Sequence, residues 1–133
     1  MSKRSVADWL GDIISWGERL ESHIVGMTYG DFIKDAKTQD AASKCAESIG
    51  LAANELSKLD PSLEREFPNL QLDRAYKSRN KLSHGYYAVE QEIVWTTVTE
   101  SIPRTVAAAR QAKLKHDGND GAEPTAGDRS EDR

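Results

Sequence analysis

The chain of 133 residues has one cysteine, four prolines, two phenylalanines and no long apolar run. With a single thiol, Cys45, no internal disulfide can form, and its place in an alanine-rich helical stretch predicts a buried, reduced side chain. No segment reaches the ~20 apolar residues that a membrane-spanning helix requires, and no signal-like apolar run follows the basic start Met1-Ser2-Lys3-Arg4. The expected location is the cytoplasm. The three histidines, His23, His84 and His116, are scattered and lack cysteine or His-Glu-x-x-His partners, so no metal or other cofactor is expected. A glycine-rich phosphate loop is also missing. Alternating apolar and polar residues, the mark of a half-buried strand, occur nowhere at length. Tyr86-Tyr87-Ala88-Val89 alone is compatible with a brief strand.

Helical periodicity fills the space that these absences leave. Val6, Trp9, Leu10, Ile13, Ile14, Gly17, Leu20 and Ile24 recur at spacings of three and four, with Ser5 and Asp8 as a capping pair and Gly26 as a stop. Thr28 and Asp31 repeat the capping pattern ahead of a short helix. Thr38-Gln39-Asp40 opens a third run from Ala41 to Lys58, whose alanines and Gly50 suit close helix packing. Pro61 is placed to start a further short helix, which Phe67-Pro68-Asn69 ends. A fourth main helix starts near Leu72 and carries a basic run to Lys81. The last starts with Glu90-Gln91-Glu92, and Pro103 should kink it. Trp9 and Trp16, seven apart, read as packing residues of the core or of a dimer.

The pattern predicts an all-α fold: an up-and-down bundle of about four main helices occupying residues 1–116. Residues 117–133 are polar, with six acidic and two basic side chains, and read as a disordered acidic tail. They account for the whole formal charge of −4, so the helical body is neutral and any charged partner must be met locally.

The densest chemistry lies in Arg79-Asn80-Lys81-Leu82-Ser83-His84-Gly85-Tyr86-Tyr87. On a continuous helix, Arg79 and His84 would be ~140° and ~7.5 Å apart, within joint reach of one phosphate near a helix end. A guanidinium is a permanent planar cation, and an imidazole moves protons near neutral pH. Together they suit metal-independent RNA cleavage by the 2′-hydroxyl. A second proton-transfer group would come from a facing motif in a homodimer. Asn80 and Ser83 can support the motif by hydrogen bonding. Arg and His at this spacing also occur as plain surface charge, and the basic run can serve simply as a solvated face or an RNA-binding module.

The stretch Arg79-Asn80-Lys81-Leu82-Ser83-His84-Gly85-Tyr86, followed by Glu92-Ile93-Val94-Trp95 and Ile102-Pro103, resembles the HepT family of HEPN-domain toxins. Thr38-Gln39-Asp40-Ala41 and Glu47-Ser48-Ile49-Gly50 extend the resemblance, which spans about Ser5 to Arg110. It implies an all-α homodimer acting as the ribonuclease toxin of a type II toxin–antitoxin pair. The implied antitoxin is a minimal nucleotidyltransferase of the MntA type that transfers AMP to the motif tyrosine. Carried over, Arg79 and His84 are catalytic, Asn80 supports them, and Tyr86 accepts AMP, with Tyr87 as a neighbouring competitor. Leu51, where relatives often have Glu, and Tyr76 and Lys77, where they often have small residues, depart from the pattern. The alternative is a non-catalytic helical dimer that binds and regulates the nucleotidyltransferase.

Overall fold

The computed structural model describes residues 3–75 and 87–121. Among these, every regular element is helical, as the apolar periodicity requires. α1 spans Val6–Ile24, α2 Tyr29–Ile33, α3 Ala36–Leu59 and α4 Leu63–Glu66. A 3₁₀ turn follows at Pro68–Leu70, and residues 72–75 are again helical. α5 spans Tyr87–Thr96, a π-helical segment Thr97–Ser101, and α6 Ile102–Gly121. None of these helices is long and apolar enough to cross a membrane.

The first two helix starts are set by the sequence locally. Ser5 and Asp8 exchange two hydrogen bonds, as do Thr28 and Asp31, so each pair satisfies two backbone N–H groups that the first turn leaves open. The bonds from Ser5 hold the Asp8 carboxyl below the usual carboxylate range. Gly26 follows the end of α1 with φ +79°, a left-handed conformation that favours glycine.

α3 starts five residues before the expected Ala41. The reason is Asp35, whose carboxylate accepts from the Thr38 N–H at 3.1 Å and from its hydroxyl at 2.9 Å. Thr38, expected to open the helix, is spent inside its first turn. Pro61 also falls outside a helix. Asp60 closes a turn by accepting from the N–H and hydroxyl of Ser62, and α4 begins after it. Residues 87–89 are helical and not a strand, so α5 begins ahead of Glu90.

The expected break at Pro103 takes the form of the π-helical segment directly before it. There the Ile102 N–H donates to the Thr97 carbonyl, five residues back. Proline has no N–H to give and its ring crowds the carbonyl four residues earlier, so a wider turn relieves the clash. α6 then runs to Gly121, past His116, where the apolar pattern stops. Lys113 and Asp117 pair at 2.8 Å on that last stretch. Residues 122–133 lie outside the described residues.

α1 packs chiefly on α3 and secondly on α6. Leu10, Ile13 and Leu20 of α1 meet Ile49, Ala53 and Leu56 of α3 and Val98, Val106 and Ala109 of the last helical run in one buried cluster. Cys45 is buried in it, and burial pushes its thiol pKa up, as expected of a structural cysteine.

The tightest helix approach is at Gly17. A Cβ there would sit 2.3 Å from Val106 Cγ2 and within 3.3 Å of its Cβ. Valine in a helix holds one rotamer, so it cannot turn away. Gly17→Ala is therefore expected to destabilise the fold by about 1–2 kcal/mol, the overpacking cost exceeding the gain in helix propensity. Denaturant melts should show the double variant Gly17→Ala/Val106→Ala to be more stable than the sum of its single changes. Strict additivity would mean that the contact is not the cause.

Candidate functional site

Arg79, Asn80, Ser83, His84 and Tyr86 lie outside the described residues, as do Tyr76 and Lys77. Tyr87 contributes its backbone to the first turn of α5. The described residues define the frame on either side of this segment.

On the entry side, Leu70 and Leu72 are fully buried, and between them Gln71 adopts φ 47° and ψ 50°. This left-handed conformation costs a glutamine about 1 kcal/mol or more. It holds because buried leucines flank it on both sides. Ala75 packs against the core, and a void of about 20 Å³ separates Gln71, Arg74 and Ala75 from Ala46, Ile49 and Thr105. That is room for about one water. The amide oxygen of Gln71 is buried without a partner among the described residues.

On the exit side, a relay of amides anchors α5. Gln39 Nε2 donates to the Phe32 carbonyl at 2.9 Å. This fixes Gln39 Oε1 toward α5, where it accepts from Gln91 Nε2 at 3.4 Å. Gln91 Oε1 ends the relay, buried and without a partner among the described residues. The amide orientations follow from the Phe32 carbonyl, which can only accept. Trp95 completes the anchor, its ring 5.1 Å from Phe32 and 6.4 Å from Tyr29. The exit from the motif segment is thus pinned to α2 and α3, while the 3₁₀ turn on its entry side packs on α6. Sequence reasoning named Gln39 and Gln91 only as helix-start residues. A glutamine pair 52 positions apart gives no local signal of contact.

Leu51, named above as a departure from the family pattern, is 46% exposed. Among the described residues no group of His, Cys, Asp and Glu could hold a metal ion.

The two α1 tryptophans are half-buried against the core, and each carries an arginine on its ring. Arg4 lies 4.4 Å from the Trp9 centroid and Arg19 lies 4.2 Å from that of Trp16. Lys44, from α3, comes within 6.0 Å of the Trp16 ring.

Comparison with known proteins gives the family. The family model described as "Ribonuclease HepT-like" matches residues 13–112, which takes in the whole Arg79–Tyr87 stretch. A protein of Thermococcus cleftensis named "Probable ribonuclease HepT" is 36% identical over 101 residues, covering 76% of this chain and 89% of that protein. A protein of Methanocaldococcus jannaschii whose name gives it as an inferred RNase is 28% identical over 120 residues, or 90% of this chain and 97% of its own length. Another such protein, from Caldanaerobacter subterraneus, is 28% identical over 95 residues, covering 71% of this chain and 82% of its own. No solved structure matches the chain significantly. With a family match across most of its length and a relative of this identity, the chain belongs to the HepT-like ribonuclease family.

Proposed function

We propose that the chain is an endoribonuclease toxin of a type II toxin–antitoxin pair, acting in the cytoplasm without a metal. The observation that carries this reading is that the family match runs through an intact Arg79-x4-His84-x-Tyr86 motif. In the proposed reaction the 2′-hydroxyl of RNA loses its proton and attacks the adjacent phosphorus. The bond to the 5′-oxygen of the next nucleotide breaks, and that oxygen takes up a proton. Arg79 offsets the charge that builds on the phosphate oxygens. His84 transfers one of the two protons, and His84 of a second subunit in a homodimer transfers the other. Asn80 and Ser83 hold the motif or substrate by hydrogen bonds.

Control would fall to Tyr86. Its phenolic oxygen attacks the α-phosphorus of ATP on an MntA-like nucleotidyltransferase, pyrophosphate leaves, and the phenol proton passes to solvent or base. The product carries a bulky anion two residues from His84. That charge opposes binding of an RNA phosphate by simple repulsion.

Expression of the chain alone should arrest cells and degrade RNA, whereas His84→Ala should do neither. If both are equally harmless and RNA stays intact, the toxin reading fails, and a non-catalytic regulator of the nucleotidyltransferase takes its place. Co-expression with the nucleotidyltransferase should raise the intact mass by adenylyl groups. Tyr86→Phe should abolish the increase. An adenylyl group that survives this change moves the acceptor to Tyr87 or elsewhere.

A further inference from the structure

The break before Pro103 changes the acceptors around it. In a regular α-helix the N–H groups of residues 102 and 103 would serve the carbonyls of Val98 and Thr99. Pro103 has no N–H, and the Ile102 N–H donates to the Thr97 carbonyl and not to that of Val98. Two consecutive carbonyls thus lose their α-helical donors. Among the described residues, no group outside this helical run donates to the Val98 carbonyl. Val98 is 1% exposed, so bulk water does not replace the lost bond. A buried carbonyl without a donor is costly, and π-helical segments of this kind recur at functional sites.

These acceptors belong to a groove of about 310 Å³. Val98, Thr99, Ile102 and Pro103 form one wall, and Leu20, Glu21 and Ile24 of α1 form the other. The volume is at the lower end of the range for small-ligand sites. Leu20, Val98 and Ile102 are buried and make the lining largely aliphatic. Glu21 breaks that pattern. Its carboxylate is exposed and has no ion pair or hydrogen bond among the described residues. Arg110, the lining residue farthest from Val98 along the helical run, is held by Glu18 at 3.0 Å. The groove therefore combines aliphatic walls with carbonyl acceptors and one unpaired negative charge. An alkyl ammonium is its complement, with three N–H donors and a positive charge on a hydrocarbon stem. A carboxylate would meet Glu21, and a second ammonium would meet the Arg110 guanidinium.

We propose that the groove between α1 and the π-helical segment is a binding site for a small, free aliphatic primary amine. Glu21 and the carbonyls that Pro103 frees hold the ammonium, and the chain lies along Leu20 and Ile102. The site is separate from Arg79 and His84 and does not rest on the ribonuclease reading.

The probe is pentylamine, protonated at neutral pH, with pentanol as its uncharged counterpart. Backbone amide resonances of the full chain without RNA report binding. Pentylamine should bind at millimolar affinity, the range open to so few atoms, and should shift the amides of Gly17, Glu21 and Ile102. It should bind about ten-fold or more tightly than pentanol, the usual weight of a hydrogen bond to a charged group. Glu21→Gln, a change at an exposed position, should remove most of that advantage and leave pentanol binding as it was. Pro103→Ala returns an N–H to the helix and lets it close in the α register. This variant should keep its helical circular dichroism and lose most of its affinity for the amine. Equal binding of pentylamine and pentanol, no shift with either, or full amine affinity in Glu21→Gln overturns the site. Full amine affinity in Pro103→Ala overturns the part given to the carbonyls. If N-acetyl-lysine methylamide binds more tightly than pentylamine, the groove belongs to a lysine of a partner protein and the free-ligand assignment falls. RNA cleavage, present or absent, changes none of these outcomes.

Discussion

Purified His84→Ala protein is expected to cleave RNA about 10²–10⁴-fold more slowly than wild type, with little change in RNA affinity. One positioned proton-transfer group usually contributes this much, and because the substitution removes His84 from both subunits the upper end of the range is expected. The effect belongs to the rate constant and not to binding, because proton transfer is made only as the transition state forms. Arg79→Ala should also slow cleavage, but through lost charge stabilisation, and Arg79→Lys should recover only part. An ammonium replaces the charge and not the two-pronged geometry. The combined Arg79→Ala/His84→Ala variant should be scarcely slower than the worse single change, since the two groups act on one transition state. Single-turnover rates at saturating protein separate these outcomes from binding. A His84→Ala protein that cleaves at the wild-type rate would remove His84 from the chemistry.

The second large effect is on stability. Phe32→Ala should cost about 3–5 kcal/mol, as for large aromatic truncations in a sealed core. Phe32 is fully buried, in contact with Trp95, and is the one buried side chain of the five-residue α2. So short a helix does not persist on its own, and its place depends on that ring. Its carbonyl also begins the Phe32–Gln39–Gln91 relay that pins α5. Loss of the ring should therefore loosen the exit from the motif as well as the core. A melting temperature lower by about 10–20 °C is expected for a domain of this size. Phe32→Leu, which refills most of the volume, should restore more than half of it. A drop of only a few degrees in Phe32→Ala would show that α2 is not anchored through this residue.

Several features were legible in the sequence because their causes lie within four residues. Ser5 with Asp8 and Thr28 with Asp31 mark helix starts, since each cap closes on its own first turn. Gly26 marks the end of α1 for the same local reason. The periodic apolar residues gave the all-α class and placed Leu10, Ile13, Ile49 and Val98 in the core. The start of α3 was misread because Asp35 and Thr38 are both good caps, and only their mutual bonds decide between them. The motif itself was legible as a resemblance of residue types, which is a statement about chemistry and not about position.

What only the tertiary structure decided are relations between distant segments. Gly17 reads as one more small residue in a stripe until Val106 is found against it, 89 positions away. Trp9 and Trp16 read as equivalent packing residues, and their half-buried rings bear that out. The arginines above them are not equivalent. Asp12 pairs with one guanidinium, while a lysine from α3 approaches the ring under the other, which has no ion pair among the described residues. Periodicity tells which way a side chain faces, because helix geometry is local. Whether a charge is satisfied depends on what the rest of the chain brings to it, and that is fixed only when α1 and α3 pack together.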